Sequence, residues 1–103
     1  MARVAKKVHM YGLDNVSRDS IIERRNFSMG LWAGQLMGYE GDDLALYAGK
    51  IMASDLAEPG PQDMIARIVG DFAANGIYVT NCEVGSRLGQ TEQLVRAELM
   101  DAD

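Results

Sequence analysis

Reactive side chains are scarce in this chain. Its 103 residues hold one cysteine, Cys82, and one histidine, His9. A lone cysteine cannot close an internal disulfide, which fits a reducing compartment. A zinc site usually takes four ligands, and no second histidine or nearby cysteine completes one around His9. No apolar run approaches the ~20 residues that a membrane span needs. The start, MARVAKKVHMYGLDN, is basic but lacks the apolar stretch of a secretory signal. The expected location is therefore the cytoplasm, without direct membrane insertion. The glycine-rich loops that cradle phosphates are also missing.

Candidate chemistry is correspondingly thin. Cys82 stands near the start of a predicted helix, where a thiol can be activated. A nucleophile also needs a base and an oxyanion site, so Cys82 reads as a small structural hydrophobe. Asp42 with Asp43, and Glu58 with Asp63, lie at predicted helix ends, where the dipole already accounts for carboxylates. No catalytic residue and no metal ligand is assigned, and the chain reads as a binding protein rather than an enzyme.

What the chain does have is helical patterning and an uneven charge. The hydrophobic fraction is 48 % and the charged fraction 24 %, ordinary for a folded protein. At this length one domain is expected. Seven methionines against two phenylalanines and one tryptophan point to a core of adaptable packing. Net charge is −5. Residues 1–26 hold six basic and three acidic groups, or +3, and residues 27–103 hold four and twelve, or −8. An acidic body disfavours nucleic acid. The basic head either touches an acidic partner or is a solvated tail.

Residues 1–17 carry no clear period and are expected to be a poorly ordered or weakly helical N-terminal segment. Residues 18–103 read as the folded domain. The first helix is predicted from Arg18 to Met37, capped by Ser17 or Asp19 and closed by Gly38. Ile22, Arg25, Asn26, Met29, Trp32, Ala33 and Leu36 share one face. The second spans Asp42 to Ala57, with Leu44, Tyr47, Ala48, Ile51, Met52 and Asp55 in one stripe, and Pro59 and Gly60 stop it. The third has Pro61 in its first turn and Met64, Ile65, Ile68, Val69 and Phe72 at three- and four-residue steps. Asn75 and Gly76 end it. Ile77, Tyr78 and Val79 form a brief β-prone connector. Thr80 and Glu83 then have capping-box spacing, opening a fourth helix with Val84, Leu88, Thr91, Val95 and Leu99 or Glu98 on one side. Gly85 and Gly89 weaken that helix or mark the close approach of another. Short loops between amphipathic helices favour an all-α four-helix bundle, with oblique crossings the alternative.

The unusual segment is Glu23 to Ala33. Arg25 and Asn26 fall inside an apolar stripe, where buried polar groups must find partners. Arg24, Phe27 and Leu31 fall on the opposite face. Either the helix is central and packed on two sides, or these side chains dock on a partner as interface anchors do.

Several separated motifs, in order, carry a resemblance. Arg24-Arg25-Asn26, Met29-Gly30-Leu31-Trp32-Ala33 and Leu36-Met37-Gly38 resemble the RRN-x-x-x-GLWA-x-x-LG signature of the zeta subunit of alphaproteobacterial F-type ATP synthases. Tyr47-Ala48, Asp55-x-x-Glu58-Pro59-Gly60-x-x-Asp63 and Val69-x-Asp71-Phe72-Ala73-Ala74-x-Gly76-Ile77 continue it. The match covers residues 23–80 well and the last helix loosely. The resemblance implies a four-helix bundle that binds the catalytic head of the synthase and restrains ATP hydrolysis, monomeric when free and peripheral to the inner membrane when bound. Its partner-binding residues would be Arg24, Arg25, Asn26, Phe27, Leu31 and Trp32, with Tyr11 and Asp14 in the head. It implies no cofactor beyond a weak nucleotide interaction, for which no motif assigns residues. The head departs from the family: FDDRE-x-AFE-x-KFA is replaced by MARVAKKVHMYGLDNVSRDS, with reversed charge and only Tyr11 and Asp14 resembling remnants of it. The alternative is a non-catalytic interaction module with the same scaffold and another partner. Trp32 offers a test. Trp32→Ala costs about 3–5 kcal/mol in denaturant unfolding if the indole is core. A loss under about 1 kcal/mol with partner binding abolished makes it an interface anchor.

Overall fold

Residues 20–57 and 60–101 are described by a computed structural model, with the side chains at 54–57, 100 and 101 outside that description. The expected caps Ser17 and Asp19, and His9, Tyr11 and Asp14 of the head, lie outside it, as do Glu58 and Pro59 and the side chain of Asp55. Every regular element among the described residues is a helix. In chain order they are α1 (20–36), α2 (Gly41–Ala57), α3 (Gln62–Ala74) and α4 (Asn81–Asp101). The all-α four-helix expectation holds.

The helix ends follow local chemistry. Past α1, Gly38 has φ +92°. Its N–H donates to Gln35 O (3.0 Å), and Tyr39 N–H reaches back to Gly34 O (2.9 Å). This paired pattern satisfies the orphan carbonyls of the last turn, and glycine adopts the required left-handed backbone without strain. The end of α3 repeats it, with Gly76 N–H on Ala73 O and Ile77 N–H on Phe72 O. Pro61 sits at the N-cap of α3, one residue ahead of the helix. The expected capping box opens α4: Glu83 N–H donates to Thr80 Oγ1 (3.0 Å) while Thr80 N–H donates to Glu83 Oε1 (2.8 Å). The connector 77–79 is irregular, not a strand, and the described residues hold no strand for it to pair with.

The core forms where the four apolar stripes meet. Met29 and Ala33 of α1, Tyr47 and Ile51 of α2, Met64, Ile68 and Phe72 of α3, and Val84 and Leu88 of α4 make one buried cluster. Trp32, Met37, Ile65, Val69, Ile77 and Val79 pack around it. The predicted faces of α2, α3 and α4 are the buried ones, and Val95 and Thr91 extend the α4 face inward. Thr91 satisfies its hydroxyl on the Arg87 carbonyl of the preceding turn (2.8 Å). On α1 the prediction fails at one end. Leu36 is 54 % exposed, because the chain turns at Met37 and the neighbours of the last turn cover Ala33 and Gly34 instead. Ile21, one position from the predicted Ile22, is buried instead.

A close helix approach exists, but not at the glycines expected to mark it. A Cβ on Gly89 would meet nothing within 4 Å, and one on Gly85 would make only ordinary contact with Ile65. The tight seam joins α1 to α2. A Cβ on Gly30 would lie 2.6 Å from Ala48 Cα, and one on Gly34 would lie 2.6 Å from Leu44 Cδ1. The two glycines are four residues apart on one helix face, a spacing that lets backbones touch. Cys82, expected as a buried hydrophobe, is exposed in the first turn of α4.

This geometry separates two substitutions with the same helix-propensity gain. Gly89→Ala stabilises the fold by about 0.5–1 kcal/mol in urea denaturation. Gly30→Ala destabilises it by about 1–3 kcal/mol, because the Ala48 backbone must move.

Candidate partner-binding site

The candidate site is built on α1, and its neighbours in sequence point in opposite directions. Arg25 and Asn26 lie inside the molecule; Asn26 is fully buried and Arg25 is 8 % exposed. Such groups must be satisfied where they sit. The Arg25 Nε–H donates to Asn26 Oδ1 (2.9 Å) and its Nη1 to Glu92 Oε1 of α4 (3.1 Å). Glu92 accepts a second cation on its other oxygen, from Arg96 Nη2 (3.0 Å) and Nε (3.2 Å). The hydrogen bonds from Arg96, followed by those from Arg25, hold the Glu92 carboxyl below its ordinary range despite partial burial. This chain of groups fastens the first half of α1 to α4.

Arg24 points to solvent, and Phe27 and Leu31 are half-buried. Positions 24, 27 and 31 fall on one helix face, so a cation and two partly covered apolar side chains stand in a row. Trp32 lies at the border of that row and the core. Its ring meets Phe72 edge-on at 5.5 Å between centroids, at 67°. The Arg87 guanidinium covers it at 5.1 Å, a favourable cation–π arrangement. The structure thus divides the sequence-predicted residues into two sets. Arg25 and Asn26 hold α1 in place, Trp32 is shared with the core, and Arg24, Phe27 and Leu31 stand on the outer face. The helix is also central, as the first of the two sequence readings had it: α1 touches α2 at Gly30, α3 through Trp32 and α4 through Arg25.

A second feature was not singled out in the sequence. A cleft of about 450 Å³ opens between α2 and α3, lined by Tyr39, Asp43, Leu46, Tyr47, Lys50, Arg67, Asp71, Ala74 and Asn75. Its floor is fixed by Tyr47, whose hydroxyl donates to Asp71 Oδ2 (2.7 Å). Burial, then that hydrogen bond, push the Tyr47 hydroxyl well above its usual pKa, so it stays protonated and donating. Arg67 lies 3.5 Å from the same carboxylate oxygen, and the Tyr39 ring tilts over Tyr47 at 5.4 Å. The available signal was the charged positions 43, 50, 67 and 71, spaced along two predicted helix faces. Among the described residues no group of three or more His, Cys, Asp or Glu side chains is placed to hold a metal ion. No described helix is long and apolar enough to cross a membrane.

The family described as ATPase inhibitor subunit zeta matches this chain over residues 4–98. That span takes in most of the head, α1 to α3 and α4 as far as residue 98, further than the residue motifs alone reach. No curated protein and no solved structure matches it.

The Glu92 cluster gives a pH prediction. A carboxyl held low in the folded state contributes stability above its ordinary value of 4.5, and that contribution is lost as pH falls through the lower folded value. Glu92→Gln is therefore less stable than the parent at neutral pH. The gap in melting temperature between them narrows on acidification below about pH 4.

Proposed function

Since the chain belongs to the ATPase inhibitor subunit zeta family, we propose that it binds the catalytic head of an F-type ATP synthase and restrains ATP hydrolysis, without catalysing a reaction itself. The observation that carries this reading is the extent of the family match, from residue 4 in the head through residue 98 in α4. The outer face of α1 supports the binding half. Arg24 supplies a charge that can steer a partner, and Phe27 and Leu31 supply apolar area that is not yet fully buried. A few anchor residues account for most of the energy at protein interfaces, and arginine is among the residue types enriched there. Tyr11 and Asp14 would contribute from the head, and Arg25 and Asn26 would act by holding α1 in place. When bound, the protein would sit at the membrane surface only through the synthase. Weak nucleotide binding belongs to the same proposal, with no residues assigned.

The second reading keeps the scaffold and changes the partner. It is favoured by the basic head, +3 over residues 1–26, against an acidic remainder of −8. Adding the purified protein to the cognate soluble ATPase separates the two. The first reading expects co-elution and a severalfold fall in hydrolysis rate. Phe27→Ala and Leu31→Ala each weaken binding by about tenfold while the melting temperature stays within a few degrees of the parent. Co-elution with an undiminished rate moves the chain to a docking role without inhibition. No complex and no inhibition overturn both the inhibitory role and the choice of partner.

A further inference from the structure

The α2–α3 cleft carries an ordered charge pattern that the outer face of α1 does not use. Tyr47 of α2 meets Asp71 of α3, and Asn75, past the end of α3, donates to Met37 ahead of α2. The two helices therefore run in opposite senses, which sets Asp43 toward the Ala74 and Asn75 end and Lys50 toward Arg67 among the lining residues. One end is negative. Asp43 lines it, Glu40 and Asp42 stand exposed beside it, and no Lys or Arg occurs between residues 38 and 49. The other end is positive, with Lys50 and Arg67. Asp71 lies between, and it is already taken by Tyr47 and Arg67. Among the described residues Asp43 and Lys50 have no ion-pair partner.

Between the charged ends sit apolar groups open to solvent. Leu46 is 60 % exposed and Tyr39 is 36 % exposed. Single exposed apolar side chains are normal, but two lining one cleft beside unpaired charges are not scattered. The cleft is an open trough, and a small ligand would leave much of its surface in water, unlike those held in enclosed pockets. The shape suits a helix laid in a groove. Asp43 and Lys50 are seven residues apart on α2, about 10 Å along the axis. A helix bound alongside would meet them with residues two turns apart.

We propose that this cleft is a second docking surface, which receives a short amphipathic helix of the ATP synthase head. That helix presents a Lys or Arg to the Asp43 end, apolar side chains to Tyr39 and Leu46, and an Asp or Glu about seven residues away to Lys50 and Arg67. The proposal rests on the reading that the chain binds that head. It adds a contact at the far end of α1 from Arg24, and it fixes the orientation of the partner segment through the two opposite charges.

The test uses the full chain and the cognate soluble ATPase. The double swap Asp43→Lys with Lys50→Glu leaves the net charge unchanged but reverses the trough. It weakens binding by about tenfold or more, as truncating interface anchors does, and the loss shrinks at high salt. Glu98→Lys, at an exposed site on α4, serves as control and binds as the parent does. Melting temperatures guard against misfolding. A photo-cross-linking benzoylphenylalanine at position 46 maps the occupant without changing any charge. Capture of an ATPase peptide with a basic and an acidic residue about two helical turns apart supports the proposal. Parent-like binding of the swapped variant overturns it, as does capture of an ATPase segment lacking those charges. Cross-linking to residues 1–17 of the same chain overturns it too, by assigning the trough to the protein's own head. If the parent itself does not bind the ATPase, the functional reading fails first and this surface falls with it.

Discussion

At Gly30 the backbones of α1 and α2 come into direct contact, with no side chain between the helix and Ala48. Much of the molecule is arranged by that contact. It sets α2 close enough for Tyr47 to lie over Gly34 and beside Tyr39. From there the Tyr47 hydroxyl reaches Asp71 on α3. On the inner side the same approach delivers Met29 and Ala33 into the common core with Ile51. A methyl group at Gly30 would push the two backbones apart, and every one of these contacts lies downstream of that spacing.

The seam also decides which parts of α1 remain available. One side of the helix is closed by α2, another by the core, and the Arg25–Glu92 pair ties its first half to α4. What is left includes the outer row at Arg24, Phe27 and Leu31, with Glu23 at one end of the helix and Gln35 and Leu36 at the other. Burying Arg25 has a desolvation cost, and such a pair is poor evidence for net stability. Its use here is specificity of placement. With the guanidinium fixed on Asn26 and Glu92, the residues on either side, Arg24 and Phe27, are turned away from the core at a defined angle. The motif that carries the family resemblance is thus largely a set of fold-holding contacts, and the outward residues Arg24, Phe27 and Leu31 are interleaved with it.

The protein presents two surfaces of different character. The α1 row offers a cation and aliphatic and aromatic area on a rigid helix. The α2–α3 trough offers exposed apolar side chains between opposite charges. If both surfaces engage one partner, as proposed, they reinforce each other, because the second binding event is intramolecular once the first has formed. Electrostatic order in the trough would set orientation more than affinity.

The helices themselves were legible in the sequence. The three- and four-residue steps in α2 to α4, the glycines at 38 and 76, and the Thr80–Glu83 box are local features. Their physics acts within one or two turns, so the chain alone specifies them. The tertiary structure decided everything that depends on a second helix. The periodicity of α1 placed Leu36 inward, but the neighbours of its last turn cover Ala33 and Gly34 and leave Leu36 exposed. Gly85 and Gly89 were read as weakening α4 or marking a close approach, yet the tight contacts fell at Gly30, against the Ala48 backbone, and at Gly34, against the Leu44 side chain, because a glycine marks a close approach only where a neighbour arrives. The pattern showed Arg25 and Asn26 to be in the apolar stripe, whereas their partner, Glu92, lies 67 residues away from Arg25 in the chain. The trough between α2 and α3 has no local signature at all, since its charges meet only when the two helices pack. Sequence determined the helices and their inner faces through short-range forces, and long-range packing determined which remaining side chains are free to meet a partner.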